Sequence, residues 1–314
     1  MKLLITRCLP DQTVAAARSR FDVTYRAETT PLNPADLRAA LADYDAILPT
    51  LGDLFRADVF HDVPRPRTKI LANFGVGHNH IDVAAARAAG IAVTNTPGAV
   101  TDATADIALT LMLMSARRTG EGERLLRAGQ WTGWHPTQML GTHVTGKTVG
   151  ILGMGRIGQA VARRCHFGFG MGVIFHNRSP LTLDFPARQL PLAQVLKADF
   201  VVLAVPANPQ THHLINAAAL GQMRPTAHLI NIARGDVVDE AALIHALQTG
   251  QIAGAGLDVY EFEPKIPSAL RALENVTLLP HLGTAALDVR QAMGQMAVNN
   301  LIAHLDGLPL PNPI

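Results

Sequence analysis

The sequence has only two cysteines in 314 residues, Cys8 and Cys165, far apart and without a CxxC pair or a Cys/His ligand spacing. This excludes a disulfide scaffold and a cysteine-built metal centre, and no metal is expected. One bridge is the most the count permits, but two buried free thiols in a reducing compartment fit better. Long apolar runs are also lacking: no stretch approaches the roughly 20 residues that span a bilayer. The run Lys2-Leu3-Leu4-Ile5 is cut by Thr6-Arg7, too early for a signal peptide. Nor is there a surplus of one charge. With 27 Lys and Arg against 25 Asp and Glu, the formal charge is +2, which argues against a nucleic-acid or membrane surface. A cytoplasmic protein is the default expectation.

What is present is core-forming material, 48% hydrophobic and 17% charged residues, enough for two domains of ordinary size. Short apolar runs alternate with amphipathic segments, the pattern of a parallel α/β fold. Leu3–Ile5, Val23–Tyr25, Ala46–Leu48, Ile70–Ala72 and Ile91–Thr94 read as strands of a first doubly wound unit, with helices over Pro34–Leu41 and Val83–Ala89. After Thr96-Pro97-Gly98, an Ala-rich segment from Thr101 to Arg118 predicts a buried or interface helix. The stretch Gly129–Gly146 reads as a loop carrying Trp131 and Trp134, which either mark a subunit interface or pack back on their own domain.

From Lys147 the alternation restarts, with strands over Thr148–Leu152, Gly172–His176, Phe200–Val205, His228–Ile232, Gly254–Val259 and Val276–Leu279. A last helix over Ala286–Leu305 is expected to return to the first domain. The predicted architecture is therefore two doubly wound parallel-sheet domains: residues 1–98 plus 286–314 for substrate, and 99–285 for a dinucleotide. The hinge is expected near Pro97-Gly98 and at the start of the last helix, with closure expelling water.

Gly153-Met154-Gly155-Arg156-Ile157-Gly158 lies between the strand Thr148–Leu152 and the helix beginning at Arg156. Its glycines suit a tight turn, close approach to a pyrophosphate, and close helix-to-strand packing. The helix N-terminus adds free N–H groups and a positive dipole end. The residue closing the next strand reports which dinucleotide binds, an acid there pairing with the ribose of NAD. Here the sequence reads His176-Asn177-Arg178-Ser179. With no carboxylate, and with Arg178 and Ser179 able to grip a 2′-phosphate, NADP(H) is favoured and NAD(H) stays open.

Three further segments put ionisable residues at strand ends, where ligands bind in doubly wound sheets. They are Asn231-Ile232-Ala233-Arg234-Gly235, Gly256-Leu257-Asp258-Val259-Tyr260-Glu261-Phe262-Glu263-Pro264 and Leu279-Pro280-His281-Leu282-Gly283-Thr284. Spacing alone leaves each open to a bland reading: a surface salt bridge for Arg234, a helix-start acid for Glu263, a satisfied loop histidine for His281.

Together with Asn73-Phe74-Gly75-Val76-Gly77-His78-Asn79-His80-Ile81-Asp82 and Thr94-Asn95-Thr96-Pro97-Gly98, these segments resemble the D-isomer-specific 2-hydroxyacid dehydrogenases. The resemblance spans nearly the whole chain and is greatest to the glyoxylate and hydroxypyruvate reductase branch. It implies a Rossmann dinucleotide domain and a flavodoxin-like substrate domain. It also implies that Arg234 clamps the carboxylate of a small 2-oxo acid, that His281 protonates the carbonyl oxygen, and that Glu263 orients the imidazole. Val76 and Gly77 would add backbone N–H groups to the substrate site, while Asp258, Ile232, Ala233, Pro206 and Asn208 would line the cofactor pocket. Asn177 stands where the family usually has an acid, which weakens the case for NAD. Leu51, in the loop after the strand Ala46–Leu48, is expected to border the substrate. A homodimer built on the Thr101–Arg118 helix and the tryptophan loop is implied as well.

Two other readings compete. A phosphoglycerate-type dehydrogenase ranks lower, because no regulatory domain follows Ile314 and no extra basic cluster awaits a phosphate ester. A dinucleotide-sensing, corepressor-like binding protein could use the same fold, but would have less need of Arg234, Glu263 and His281.

Overall fold

The computed structural model describes residues 1–314, which divide into two compact units, Met1–Val100 with Thr284–Ile314 and Thr101–Gly283. In the first unit, strands β1 (Lys2–Ile5), β2 (Asp22–Tyr25), β3 (Ala46–Leu48), β4 (Ile70–Ala72) and β5 (Ala92–Thr94) form one parallel sheet in the order β2-β1-β3-β4-β5. Apart from Lys2 at the exposed start of β1, the central strands β1, β3 and β4 are apolar at every position because helices cover both faces. On one side Leu3, Ile5, Leu48 and Ile70 pack with Ala297, Val298 and Leu301 of the C-terminal helix Leu287–Leu305. That buried contact returns the end of the chain to the first unit. On the other side Leu4, Ile47 and Leu71 meet Leu37 and Leu41 of the helix Pro34–Asp43 and Ala86 of the helix Val83–Ala88.

The second unit holds seven parallel strands: β6 (Thr148–Leu152), β7 (Gly172–His176), β8 (Arg188–Gln189), β9 (Phe200–Leu203), β10 (His228–Asn231), β11 (Gly254–Leu257) and β12 (Val276–Leu278). Their order is β12-β11-β10-β9-β6-β7-β8. Strand order reverses beside β6, the topological switch point at which a doubly wound sheet binds its ligand. The helix Thr101–Arg117 buries Ala105, Ala108, Leu111 and Met112 against Ile151, Val202 and Ile230. The helix Glu240–Gln248 covers the other face, its start capped by Asp239, whose carboxylate accepts from the Ala242 N–H at 3.0 Å.

Several features depart from the sequence reading. Strands β9, β10 and β11 stop one or two residues earlier than their apolar runs. The structure adds a helix at Thr119–Arg127 and the two-residue edge strand β8. Cys165 is buried, its thiol pushed up to about 12 by desolvation, whereas Cys8 is exposed rather than buried. The Tyr25 hydroxyl lies 3.4 Å from the Cys8 sulfur. Cys8 follows the end of β1, where the chain has already turned outward.

Candidate active site

Strand β6 ends in the glycine turn, whose three glycines do different work. Gly153 has φ 92°, and a Cβ there would lie 2.7 Å from the Ala204 carbonyl oxygen. At Gly158 a Cβ would come within 2.1 Å of the Gly153 carbonyl oxygen, so only glycine lets the helix Arg156–Arg163 start this close to β6. A Cβ at Gly155 would meet nothing within 4 Å. The Arg156 and Ile157 N–H groups have no partner inside the chain. Open backbone, unpartnered donors and a helix dipole fit the pyrophosphate of a dinucleotide.

Beyond β7, the Asn177 side-chain oxygen accepts from the Met154 N–H at 3.3 Å and its amide donates to the Ser179 carbonyl at 3.0 Å. Gln189 donates to the Asn177 and Ser179 carbonyls at 2.9 and 3.2 Å. The Asn177–Ser179 loop is thus built and fastened to the glycine turn. Arg178 and Ser179 are exposed on it, and Arg178 forms no ion pair. After β9, the Thr211 hydroxyl donates to the Pro206 carbonyl at 2.7 Å and accepts from the Asn208 N–H at 2.9 Å, so Pro206 and Asn208 belong to one closed turn. Ile232 and Ala233 are buried just past β10.

Three strand ends converge on the ionisable residues. At the end of β10, the Asn231 side chain accepts from the Ala233 N–H at 3.0 Å and donates to the Arg234 carbonyl at 2.9 Å, tightening the turn that presents Arg234. Burial lowers the Arg234 guanidinium's affinity for its proton, while the negative charges of Glu263 and Asp236 oppose this. The turn fits because Gly235 has no side chain: a Cβ would lie 1.8 Å from the Tyr260 carbonyl carbon. At the end of β11, Asp258 accepts from the Leu282 and Gly283 N–H groups at 2.6 and 2.8 Å. Burial raises its pKa against those bonds and against His281.

Past β12, His281 adopts φ 55°, and its N–H donates to the Asp258 carbonyl at 3.0 Å. Its Nδ1 lies 2.9 Å from Glu263 Oε2, and Glu263 Oε1 accepts from the Tyr260 N–H at 3.0 Å. Burial raises the Glu263 pKa, but the His281 bond and charge, the Tyr260 N–H and Arg234 outweigh it, so the carboxyl titrates below its ordinary value. A carboxylate can only accept, so Nδ1 carries the hydrogen and Nε2 is left to exchange a proton with a ligand.

In the first unit, Leu51 follows β3 and is 37% exposed. Val76 and Gly77 follow β4, and their N–H groups make no hydrogen bond within the chain. Sequence reasoning gives no role to Tyr260, whose hydroxyl lies 2.8 Å from the Leu279 carbonyl and 3.2 Å from that of Leu257, tying β11 to the His281 segment. It gives none to Asn73 and Asn95 as individual residues either. Their place inside the two first-unit motifs is the only signal.

A Rossmann sheet with a glycine turn, a half-buried arginine and a His–Glu pair at its carboxyl edge defines a dinucleotide-dependent oxidoreductase by architecture. Residues 109–283 match the D-isomer specific 2-hydroxyacid dehydrogenase NAD-binding domain. The chain is 45% identical to the glyoxylate reductase of Thermococcus gammatolerans and 44% identical to that of Pyrococcus furiosus, in each case over 98% of this chain and 93% of the relative. An NADPH-dependent glyoxylate/hydroxypyruvate reductase from Sinorhizobium meliloti, solved with NADP and malonate, superposes with a TM-score of 0.89 at 35% identity, covering 100% of this chain and 96% of that one. The protein belongs to the D-isomer specific 2-hydroxyacid dehydrogenase family.

Proposed function

We propose that the protein reduces a small 2-oxo acid, glyoxylate or hydroxypyruvate, to the D-2-hydroxy acid, with NADPH as the preferred reductant. The carrying observation is the His281–Glu263 contact of 2.9 Å, beside an arginine held partly desolvated. The bound nicotinamide supplies hydride to the carbonyl carbon. Arg234 holds the substrate carboxylate and draws electron density toward the carbonyl oxygen. As charge develops on that oxygen, His281 donates the Nε2 proton, and Glu263 stabilises the imidazolium from the opposite nitrogen. In the first unit, the Val76 and Gly77 N–H groups offer two donors to a carboxylate, and Leu51 offers an apolar contact to a small substituent.

On the cofactor side, the glycine turn Gly153–Gly158 holds the pyrophosphate, and Asn177, Arg178 and Ser179 take the 2′-phosphate. Pro206, Asn208, Ile232, Ala233 and Asp258 surround the rest of the dinucleotide. An exposed arginine without a carboxylate partner supports NADP over NAD, since a phosphate there meets a cation and no repulsion. Homologues that are glyoxylate or hydroxypyruvate reductases support a 2-oxo acid. The free thiols support a reducing compartment, the cytoplasm. The exposed side chains of Leu126 (61%), Trp131 (51%), Trp134 (78%) and Leu140 (68%) support a homodimer through this face. The helix Thr101–Arg117 spends its apolar face on its own sheet, so the helix Thr119–Arg127 and the tryptophan loop carry the pairing surface.

A panel of 2-oxo acids assayed with NADPH and with NADH tests the proposal on wild type and Arg178→Ala. Glyoxylate or hydroxypyruvate should be the best substrate with NADPH. Losing a charged hydrogen bond of about 1.5–3 kcal/mol should raise the KM for NADPH roughly 10- to 100-fold and leave that for NADH nearly unchanged. Equal effects on the two cofactors would remove the 2′-phosphate assignment, and no turnover of any 2-oxo acid would remove the function.

A further inference from the structure

We propose that Asn73 and Asn95 are positioning residues that aim the Val76 and Gly77 N–H groups at the substrate carboxylate. The inference rests on the carboxylate-binding role assigned above to those two groups. Three consecutive carbonyls of this loop are held by side-chain amides. Asn73 Nδ2 donates to the Gly75 and Gly77 carbonyls, both at 3.0 Å, and Asn95 Nδ2 donates to the Val76 carbonyl at 2.9 Å. The Thr96 N–H adds a second bond to the Gly75 carbonyl at 3.1 Å.

A peptide unit is planar and trans, so its C=O and the N–H of the next residue point in opposite directions. Holding the Gly75 carbonyl therefore sets the direction of the Val76 N–H, and holding the Val76 carbonyl sets that of the Gly77 N–H. Asn73 commands the first plane and Asn95 the second. The two N–H groups that these planes turn away from the asparagines are the ones with no partner inside the chain. Without the clamps, each plane could rotate and satisfy its N–H locally or with water.

The clamp is itself fixed. Asn73 is fully buried, its N–H donates to the Thr94 carbonyl at 2.9 Å, and its side-chain oxygen lies 3.0 Å from His80 Nε2. Both hydrogens of the Asn73 amide go to carbonyls, so its oxygen must accept, and His80 donates from Nε2. Asn95 leaves the end of β5 with its N–H bonded to the Asn312 carbonyl at 3.2 Å. Asparagine suits the Asn73 position because one short fork reaches two carbonyls. An aspartate of the same shape would set a carboxylate oxygen against both of them.

Steady-state kinetics and oxamate inhibition of Asn95→Ala, Asn73→Asp and Arg234→Lys test the assignment, with thermal melting as a check on folding. Asn95→Ala should raise both the oxamate Ki and the KM for glyoxylate about tenfold, the worth of one well-aimed hydrogen bond. Its kcat should change less than about threefold, and the KM for NADPH should not move, because uniform substrate binding is what is lost. Asn73→Asp should act in the same sense and more strongly. If it fails to fold, Asn95→Ala alone decides. Unchanged oxamate affinity in Asn95→Ala beside a raised Ki in Arg234→Lys would overturn the clamp and leave the carboxylate site standing. No change in any variant would overturn the carboxylate reading and the clamp with it. A parallel loss of kcat, nucleotide affinity and melting temperature would mark the asparagines as merely structural and also overturn the proposal.

Discussion

Replacing Glu263 by glutamine keeps the volume of the side chain and removes its charge, and the geometry of the pair fixes the consequence. Glu263 serves two donors, the Tyr260 N–H at 3.0 Å and His281 Nδ1 at 2.9 Å. A glutamine has one oxygen and one NH2, so it can accept from only one of them. The Tyr260 N–H is held in place from both sides of its residue: the following peptide packs against Gly235, and the Tyr260 hydroxyl is bonded to the Leu279 and Leu257 carbonyls. The amide NH2 then faces His281, and the neutral imidazole must carry its hydrogen on Nε2 and accept at Nδ1. The imidazolium that would donate the proton in the proposed reduction loses its counter-charge and its acceptor at once. Two unit charges about 4 Å apart are worth about 4 kcal/mol at an effective dielectric of 20. Side chains 31% and 32% exposed screen part of this, leaving about 1–2 kcal/mol. Glyoxylate reduction by Glu263→Gln should therefore fall roughly 5- to 30-fold in kcat/KM at neutral pH. Stopped-flow measurement of NADPH oxidation at neutral pH reads the loss. A variant within twofold of wild type would refute the pairing as the source of the proton.

His228 is buried, with Ser115 Oγ 2.8 Å from Nδ1 and Thr142 Oγ1 3.2 Å from Nε2, and desolvation lowers its pKa from 6.5 to about 4. The unfolded chain therefore takes up a proton there before the folded one does, and stability is lost as pH falls from 6.5 toward 4. The loss amounts to at most about 3 kcal/mol. Urea titrations at pH 7 and pH 4 should show a smaller difference in His228→Gln than in wild type; equal differences would clear His228 of the effect. Asp239→Ala removes the side-chain cap of the helix Glu240–Gln248 and should cost about 1 kcal/mol in the same titration at pH 7, with a loss below about 0.3 kcal/mol counting against the cap. Trp134→Ser should shift sedimentation equilibrium from the dimer mass toward the monomer mass, and a monomeric wild type would remove the proposed interface.

The strands were legible because buried parallel strands must be apolar at every position, and Phe200–Leu203 or Ala46–Leu48 hardly occur otherwise. Their ends were overrun because apolar residues continue past the last ladder bond: Val205 and Val259 remain in or near the core after the strand has stopped. The helix Thr119–Arg127 was hidden for the opposite reason. Gly120 and Gly122 lower its intrinsic propensity, and the break before it falls on Arg118, at φ 53°, with no glycine to announce it. The left-handed Arg118 is held by its side chain, which pairs with Glu121 three residues on at 2.7 Å and reaches the Leu140 carbonyl at 3.5 Å.

The same division runs through the site. The glycine turn could be read in order along the chain because a strand end, a sharp turn and a helix start are local events, and Gly158 and Gly153 answer to backbone a few residues away or just past the neighbouring strand. Arg234, Glu263 and His281 could not be joined that way. They lie on three different strand ends, and only their likeness to a family drew them together before the structure brought Nδ1 and Oε2 within 2.9 Å. Asn95 was least legible of all. Its partner is a carbonyl 19 residues back, and its proposed effect falls on the opposite edge of the same peptide plane, at an N–H it never touches. A residue that works by turning a peptide plane carries no signature in its own chemistry. Such residues should be sought wherever a binding group is a bare backbone N–H, by asking which side chain holds the carbonyl behind it.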